Sequence, residues 1–307
     1  MRLRIATRKS PLALWQAEHV KAAIRALRPD LEVSLVERVT KGDKILDQAL
    51  SKVGGKDLFV KEIEDALLTG EAELAVHSLK DVPTALPAGL SIAAFPPRED
   101  PRDALVSHKG YRLSTLPKGA VVGTSSLRRA AQLKIVRPDL QIVPIRGNVQ
   151  TRLERSKKEG MDATVLAWAG LVRLGLGEVA TEVLEVEVSL PAIGQGILAV
   201  EAKDDDASTR GILAPLDDAS ARTAAIAERA FLRRLEGGCQ VPIAGYATIQ
   251  GQKLMLRGLV SELDGSKSFR GNIEGPIADA ERLGTALAEE LLGQGAGAVL
   301  ARLKAAP

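Results

Sequence analysis

The sequence predicts an α/β protein of three domains: two units in which strands alternate with helices, then a C-terminal α+β unit on a three-stranded antiparallel sheet. Three observations carry this. A chain of 307 residues exceeds the size at which one hydrophobic core stops growing. Strand-like and helix-like patterns alternate up to about residue 95 and again beyond about residue 120, which argues for parallel, helix-covered sheets. Past residue 245 these crossovers give way to short strands joined by tight turns.

Leu3 to Ala6 is apolar enough for a strand. Ser10 then offers a cap and Pro11 suits a first helical turn, after which Ala13, Ala17, Val20, Ile24 and Leu27 recur at helical spacing. Leu31, Val33 and Leu35 alternate as a strand. Phe59, Ile63 and Leu67 mark a helix stopped by Gly70, and ELAVHSL supplies a buried strand. PPREDPRD, from Pro96 to Asp103, mixes proline with charge and reads as a linker. AVVG, LQIVPI and DATVLAWA are strands separated by helices over Ser126 to Val136 and Val149 to Glu159. A long helix from Ser220 to Leu235 precedes the strands YATIQ, KLMLRGLV and KSFRGNI, with two helices near the end, at about 278 to 293 and 295 to 304.

Composition excludes more than it selects. Apolar residues at 45% and charged residues at 26% describe a folded chain, not a disordered one. A formal charge of +3 with only 3% aromatic residues gives little support to a nucleic-acid binder. A single cysteine cannot form an internal disulfide, and MRLRIATRKS has no apolar core before a cleavage site, so a cytoplasmic location is expected. No apolar run approaches the roughly 18 residues of a membrane span. His19, His77 and His108 make no HExxH, no CxxC occurs, and no metal site is expected. GxxxxGKS and GxxxxGKT are absent, and GQGILA stands before a strand-like run, where a dinucleotide fingerprint does not belong.

Several stretches carry chemistry. In HSLKDVPT, Lys80 and Asp81 follow the end of a buried strand, where α/β sheets place their ligands, although an aspartate before a turn also serves as a cap. GTSSLRRAAQL leaves a strand and enters a helix through Ser126, with Arg128 and Arg129 in its first turn. Cations there oppose the helix dipole, so something negative is expected nearby, unless both arginines are simply solvated. RGNVQTRLER places Arg146 at a strand end and Arg152 in the next helix. Together with Arg8 and Arg173 these residues suit a polyanionic ligand, because the guanidinium fork matches carboxylates and phosphates. KVGGKDLF, with Lys52 and Lys56 around two glycines, reads as a mobile loop or a plain surface loop.

The lone thiol, Cys239, follows Gly237 and Gly238 in RRLEGGCQVPIAGY. A single cysteine is most often a small buried hydrophobe. The glycines nevertheless imply close approach of another group, and Arg233 and Arg234 favour a thiolate. A pairing with His77 as in cysteine proteases has no local signature.

Taken in order, RIATRKSPLALWQA, VTKGDKILD, KVGGK, LFVKE, AVHSLKDVP, REDPRDA, VGTSSLRR, RGNVQTRL, LPAIGQG and EGGCQVPI span residues 4 to 243. In this, the chain resembles the porphobilinogen deaminase (hydroxymethylbilane synthase) family. The resemblance implies that Cys239 forms a thioether to a dipyrromethane cofactor assembled from the enzyme's own substrate. It implies that four porphobilinogen molecules are deaminated in turn to azafulvenes, joined head to tail onto this primer, and released as hydroxymethylbilane by hydrolysis. Asp81 matches the family's catalytic aspartate. Arg8, Lys80, Ser126, Arg128, Arg129, Arg146, Arg152 and Arg173 match positions that bind the acetate and propionate groups of cofactor or substrate. The implied fold has two periplasmic-binding-protein-like lobes around a cleft, residues 1–96 with 197–214 and residues 102–190, and a third domain, 219–307, that presents the cysteine loop. A monomer working in the cytoplasm, without nucleic acid or membrane, is the family expectation.

Two positions depart from the family pattern. Asp57 stands where GGKGLF has glycine, which puts the loop's usual flexibility in question, and Trp168 replaces a small or aliphatic residue. A non-catalytic solute receptor is the main rival reading, but it has no use for Cys239 and Asp81. A nucleic-acid module built on the arginines would betray itself by steep salt dependence.

Overall fold

The computed structural model describes residues 2–44, 60–237 and 241–305. Cys239, Lys52, Lys56 and Asp57 lie outside them. The chain divides into two compact units, Met1–Leu46 with Gly55–Glu99 and Gly196–Arg222, and Asp47–Gly54 with Asp100–Gln195 and Thr223–Pro307.

In the first unit β1 (Arg2–Arg8), β2 (Glu32–Arg38), β3 (Leu74–Ser78), β4 (Leu90–Ala94) and β10 (Leu198–Lys203) form a sheet in the order β2-β1-β3-β10-β4. β1 runs parallel to β2 and β3, whereas β10 runs antiparallel to β3 and β4. The sheet is therefore mixed, not parallel as the alternating pattern predicts. Its odd strand comes from residues far along the chain, and local periodicity carries no signal for that partner. Helix α1 (Pro11–Leu27) begins at Ser10, whose side chain accepts the Ala13 N–H. Such a cap contributes about 1 kcal/mol. Its apolar stripe of Ala17, Val20 and Ile24 packs on Leu3, Ile5, Leu74 and Val200. Each large aliphatic side chain fully buried there stabilises by roughly 1.5–3 kcal/mol. Helix α2 (Lys61–Leu68) covers the other face, Ile63 and Leu67 meeting Ala6 and Ala75. Alternation along β1 explains the division, since Leu3 and Ile5 point to one side and Ala6 to the other.

The second unit holds two sheets. β5 (Asp103–Val106), β6 (Val121–Gly123), β7 (Gln141–Val143), β8 (Ala163–Ala167) and β9 (Glu182–Leu184) are ordered β7-β6-β8-β5-β9. β6 lies parallel to β7 and β8, and β5 antiparallel to β8 and β9. Asp103, the last residue of the expected linker, starts β5 and is fully buried. Helices α3 (Leu127–Val136), α4 (Val149–Lys158) and the short α5 (Trp168–Arg173) follow β6, β7 and β8. Helix α6 (Ala207–Leu213) belongs to the first unit, and α7 (Ala219–Arg234) lies in the second from residue 223 onward.

The last sheet is the expected antiparallel one, β11 (Ile243–Gln250), β12 (Lys253–Ser261) and β13 (Ser268–Pro276) in that order. Gly245, Gly258 and Gly271 stand opposite one another across its three strands. A Cβ on Gly258 would lie 2.7 Å from the Phe231 ring, and one on Gly271 2.8 Å from Leu287. The row thus forms a trough, filled by Phe231 of α7 and Leu287 of α8 (Ala280–Leu291). A kink at Gly295, whose φ is 109°, separates α8 from α9 (Gly297–Ala305).

Candidate active site

Parallel pairing of β1 and β3 decides what meets in the first unit. Ile5 stands beside Leu74 and Ala6 beside Ala75, so the C-terminal ends of both strands open side by side. That is where α/β sheets bind ligands. Arg8 closes β1, and Ser10 begins the cap of α1. After β3 the chain makes a single 3-10 turn, Leu79–Asp81, held by the Leu79 N–H on Ile197 O at 3.0 Å and the Val82 N–H on Leu79 O at 3.0 Å. Arg8, Ser10, Gln16, His77, Ser78 and Asp81 line one concavity. Asp81 is half-buried, and Lys80 beside it is also partly covered. Gln16 Nε2 donates to Ser78 Oγ at 2.9 Å, which stiffens the rim.

The concavity brings the expected Arg8 and Asp81 together with Gln16 and Ser78, which the sequence did not single out, and with His77, weighed there only as a partner for Cys239. His77 sits four residues before Asp81, and that spacing on one strand end was the available signal. Its Nε2 lies 3.0 Å from Glu201 Oε2 on β10, both residues being buried.

In the second unit the loops after β6, β7 and β8 leave three neighbouring parallel strands at the same end of the sheet. Ser126 caps α3, its Oγ accepting the Arg129 N–H at 3.4 Å, while the Ser126 N–H donates to Thr124 Oγ1. Ser125 Oγ donates to Ile145 O at 2.9 Å and ties this loop to the next. There Arg146 is followed by Gly147, whose φ of 111° excludes a side chain, and by Asn148, which caps α4 by accepting the Thr151 N–H. Arg152 Nε donates back to Gly147 O at 2.8 Å. Arg173 ends α5 and is buried.

Arg128 and Arg129 occupy a different setting from the one their position suggests. Both are 5% exposed, and both close on Asp103. Ser189 Oγ and Gln195 Nε2 complete the shell around that carboxylate at 2.7 and 2.9 Å. The negative partner expected near this helix start is thus supplied by the protein itself. Burial alone would push the Asp103 carboxyl up, but the two guanidinium groups overcome this and hold it far below the usual carboxylate range. Arg128 loses some hold on its proton through burial and the neighbouring guanidinium, with Asp103 opposing. One carboxylate against two guanidinium groups leaves the cluster with an excess positive charge.

Arg146 differs again. Partial burial lowers its pKa, and among the described residues no carboxylate pairs with it.

The fold is that of an α/β protein whose two units each set charged side chains beyond the ends of parallel strands, Arg8 and Asp81 in the first and Arg146 and Arg173 in the second. Two family models match it, the porphobilinogen deaminase dipyromethane cofactor binding domain over residues 3–211 and the porphobilinogen deaminase C-terminal domain over residues 222–293. Porphobilinogen deaminase of Syntrophotalea carbinolica is 56% identical over 305 residues, 99% of this chain and 97% of that one. Its counterpart from Geobacter sulfurreducens is 52% identical over 302 residues, 98% and 95% of the two chains. Among solved structures, the periplasmic aliphatic sulphonate binding protein SsuA from Escherichia coli is similar at a TM-score of 0.40 with 16% identity, over 76% of this chain and 70% of that one. The chain belongs to the porphobilinogen deaminase family, the hydroxymethylbilane synthase transferases of tetrapyrrole biosynthesis, whose members carry a dipyrromethane cofactor. No helix among the described residues is long and apolar enough to cross a membrane.

Proposed function

We propose that Asp81 is the catalytic carboxylate of this hydroxymethylbilane synthase, and that its cationic strand ends hold the carboxylates of primer and growing chain. The observation that carries this is the meeting of Arg8 and Asp81 in one concavity beyond two adjacent parallel strands. Asp81, ionised, stabilises the positive charge that develops on a substrate pyrrole as ammonia departs, and assists the proton transfers at its nitrogens. Arg8 takes a carboxylate of the same substrate and fixes the ring against Asp81.

Dipyrromethane carries an acetate and a propionate on each pyrrole, so it needs several cations at once. Arg146, with no carboxylate of its own among the described residues, fits that demand, and so does the excess charge of the Arg128, Arg129 and Asp103 cluster. Ser126, Arg152, Arg173 and Lys80 complete the proposed binding set. When bound, the group supplies the nucleophilic pyrrole carbon onto which the first substrate is joined. Cys239 is its proposed attachment point; Cys239, Lys52 and Lys56 lie outside the described part of the chain.

The domain division into 1–96 with 197–214, 102–190 and 219–307 is part of the same proposal, supported by the separate sheet in each. So are a monomeric state, a cytoplasmic location and independence from nucleic acid, the last in keeping with a net charge of only +3. Intact mass of the purified wild type beside Cys239→Ala tests the attachment. An adduct of two pyrrole units in the wild type alone is expected, and an unmodified active wild type rejects it.

A further inference from the structure

We propose that His77 and Glu201 form a buried proton-holding pair that serves Asp81, Glu201 fixing the imidazole so that its remaining nitrogen takes a proton from the concavity. The pairing register sets Ala199 opposite His77 and Glu201 opposite Ala75. His77 and Glu201 are therefore diagonal neighbours on one face of the two central strands. His77 is 6% exposed and Glu201 0%. The second carboxylate oxygen, Glu201 Oε1, is buried with no hydrogen-bond partner.

That oxygen leaves the buried carboxylate incompletely engaged, with His77 as its one hydrogen-bond partner among the described residues. Buried polar atoms are mostly satisfied, so a carboxylate with one engaged oxygen has capacity to spare. With a neutral ring the pair carries one uncompensated negative charge in the core. With one more proton it becomes an ion pair of no net charge. His77 also lines the concavity that holds Arg8 and Asp81. In the proposed pair Glu201 is the carboxylate, so Nε2 carries the hydrogen toward Oε2 across the 3.0 Å contact and Nδ1 is the nitrogen left to receive one. The charged groups around the pair are Arg8 and Asp81 in the concavity, Lys80 next to Asp81, and Glu62 and Glu64 on α2, which packs against β3 and β10.

This inference rests on the family reaction. In each addition the carbon–nitrogen bond of the substrate's ammonium-bearing methylene breaks, and ammonia leaves with the bonding electrons. A carbon–carbon bond forms in its place, and the pyrrole carbon that made it gives up its hydrogen as a proton. Asp81 takes this proton and passes it to His77 Nδ1, which restores the Asp81 carboxylate for the next addition. The resulting imidazolium rests against Glu201 until it releases the proton to water. His77 and Glu201 act through Asp81 and do not bind substrate themselves.

The test compares holoenzyme of the wild type, Glu201→Gln and His77→Gln in kcat and KM over a range of pH, with intact mass and melting temperature as controls. Glu201→Gln is expected to keep its mass adduct, hold KM within about twofold and lose about tenfold to a hundredfold in kcat. Its acidic limb of kcat should move to lower pH, because a ring without its carboxylate binds a proton less tightly. An unmoved limb with wild-type kcat, or a change confined to KM and melting temperature, overturns the proposal. Should the variants fail to fold, nitrogen-15 NMR of His77 in the wild type decides. Nδ1 is expected to gain a proton as the pH is lowered while Nε2 keeps its own, and a ring of constant charge overturns the pair. An inactive wild type would instead refute the reaction assigned to the chain.

Discussion

Arg128 Nη1 donates to Asp103 Oδ2 at 2.8 Å, and both side chains are buried. With Arg129 on the other oxygen, Asp103 is the anion that allows two guanidinium groups into the second unit. Asp103→Asn is expected to cost about 3–5 kcal/mol, because it strands buried charge. The pH dependence follows from the depressed carboxyl. Its stabilisation is complete above the unfolded carboxylate value near pH 4 and is lost as pH falls below that. Urea unfolding at a series of acidic pH values should show the wild type weakening and Asp103→Asn, weaker throughout, responding less.

Asp81→Asn keeps the shape of the side chain and removes its charge. The variant is expected to fold with an unchanged melting temperature while kcat falls at least about a hundredfold, as for loss of a group that stabilises developing charge. Near-normal turnover in a steady-state assay would remove Asp81 from this role.

Arg146→Leu tests the cation that has no carboxylate partner among the described residues. Relief of partial burial makes the apolar variant no less stable, while anion binding is lost. The purified protein should lack the two-pyrrole adduct or stall in chain growth. Isolation with a full adduct and normal product formation would count against it.

Gly196→Ala probes backbone. Gly196 has a φ of 86°, and a Cβ there would press directly on the Glu99 carbonyl. A left-handed alanine costs about 1 kcal/mol or more before the clash is added. Thermal unfolding is expected to show a clear loss, and an unchanged melting temperature would mean that the segment relaxes freely.

Much of this architecture was legible in the residues. Ser10, Pro11 and the Ala17, Val20 and Ile24 stripe announce α1, and Ser126 and Asn148 announce the helices they cap. These are local signals, written within one or two turns. What stayed hidden depends on distant partners. β10 joins the first sheet antiparallel from residues more than a hundred positions beyond β3, and no periodicity reports that. Asp103 looked like linker charge because its meaning lies in Arg128 and Arg129, about 25 residues later. The candidate site divides the same way. Asp81 and Arg8 stand out as charges at strand ends, whereas His77 is marked only by Glu201, 124 positions away.

The glycine trough under Phe231 reaches further than its own sheet. Helix α7 is seated by that ring, so the depth to which one benzene ring settles decides how closely a whole helix can lie on the strands. Adding a methyl at Gly258 would lift that keel and loosen the third sheet from its cover without touching a single charged group.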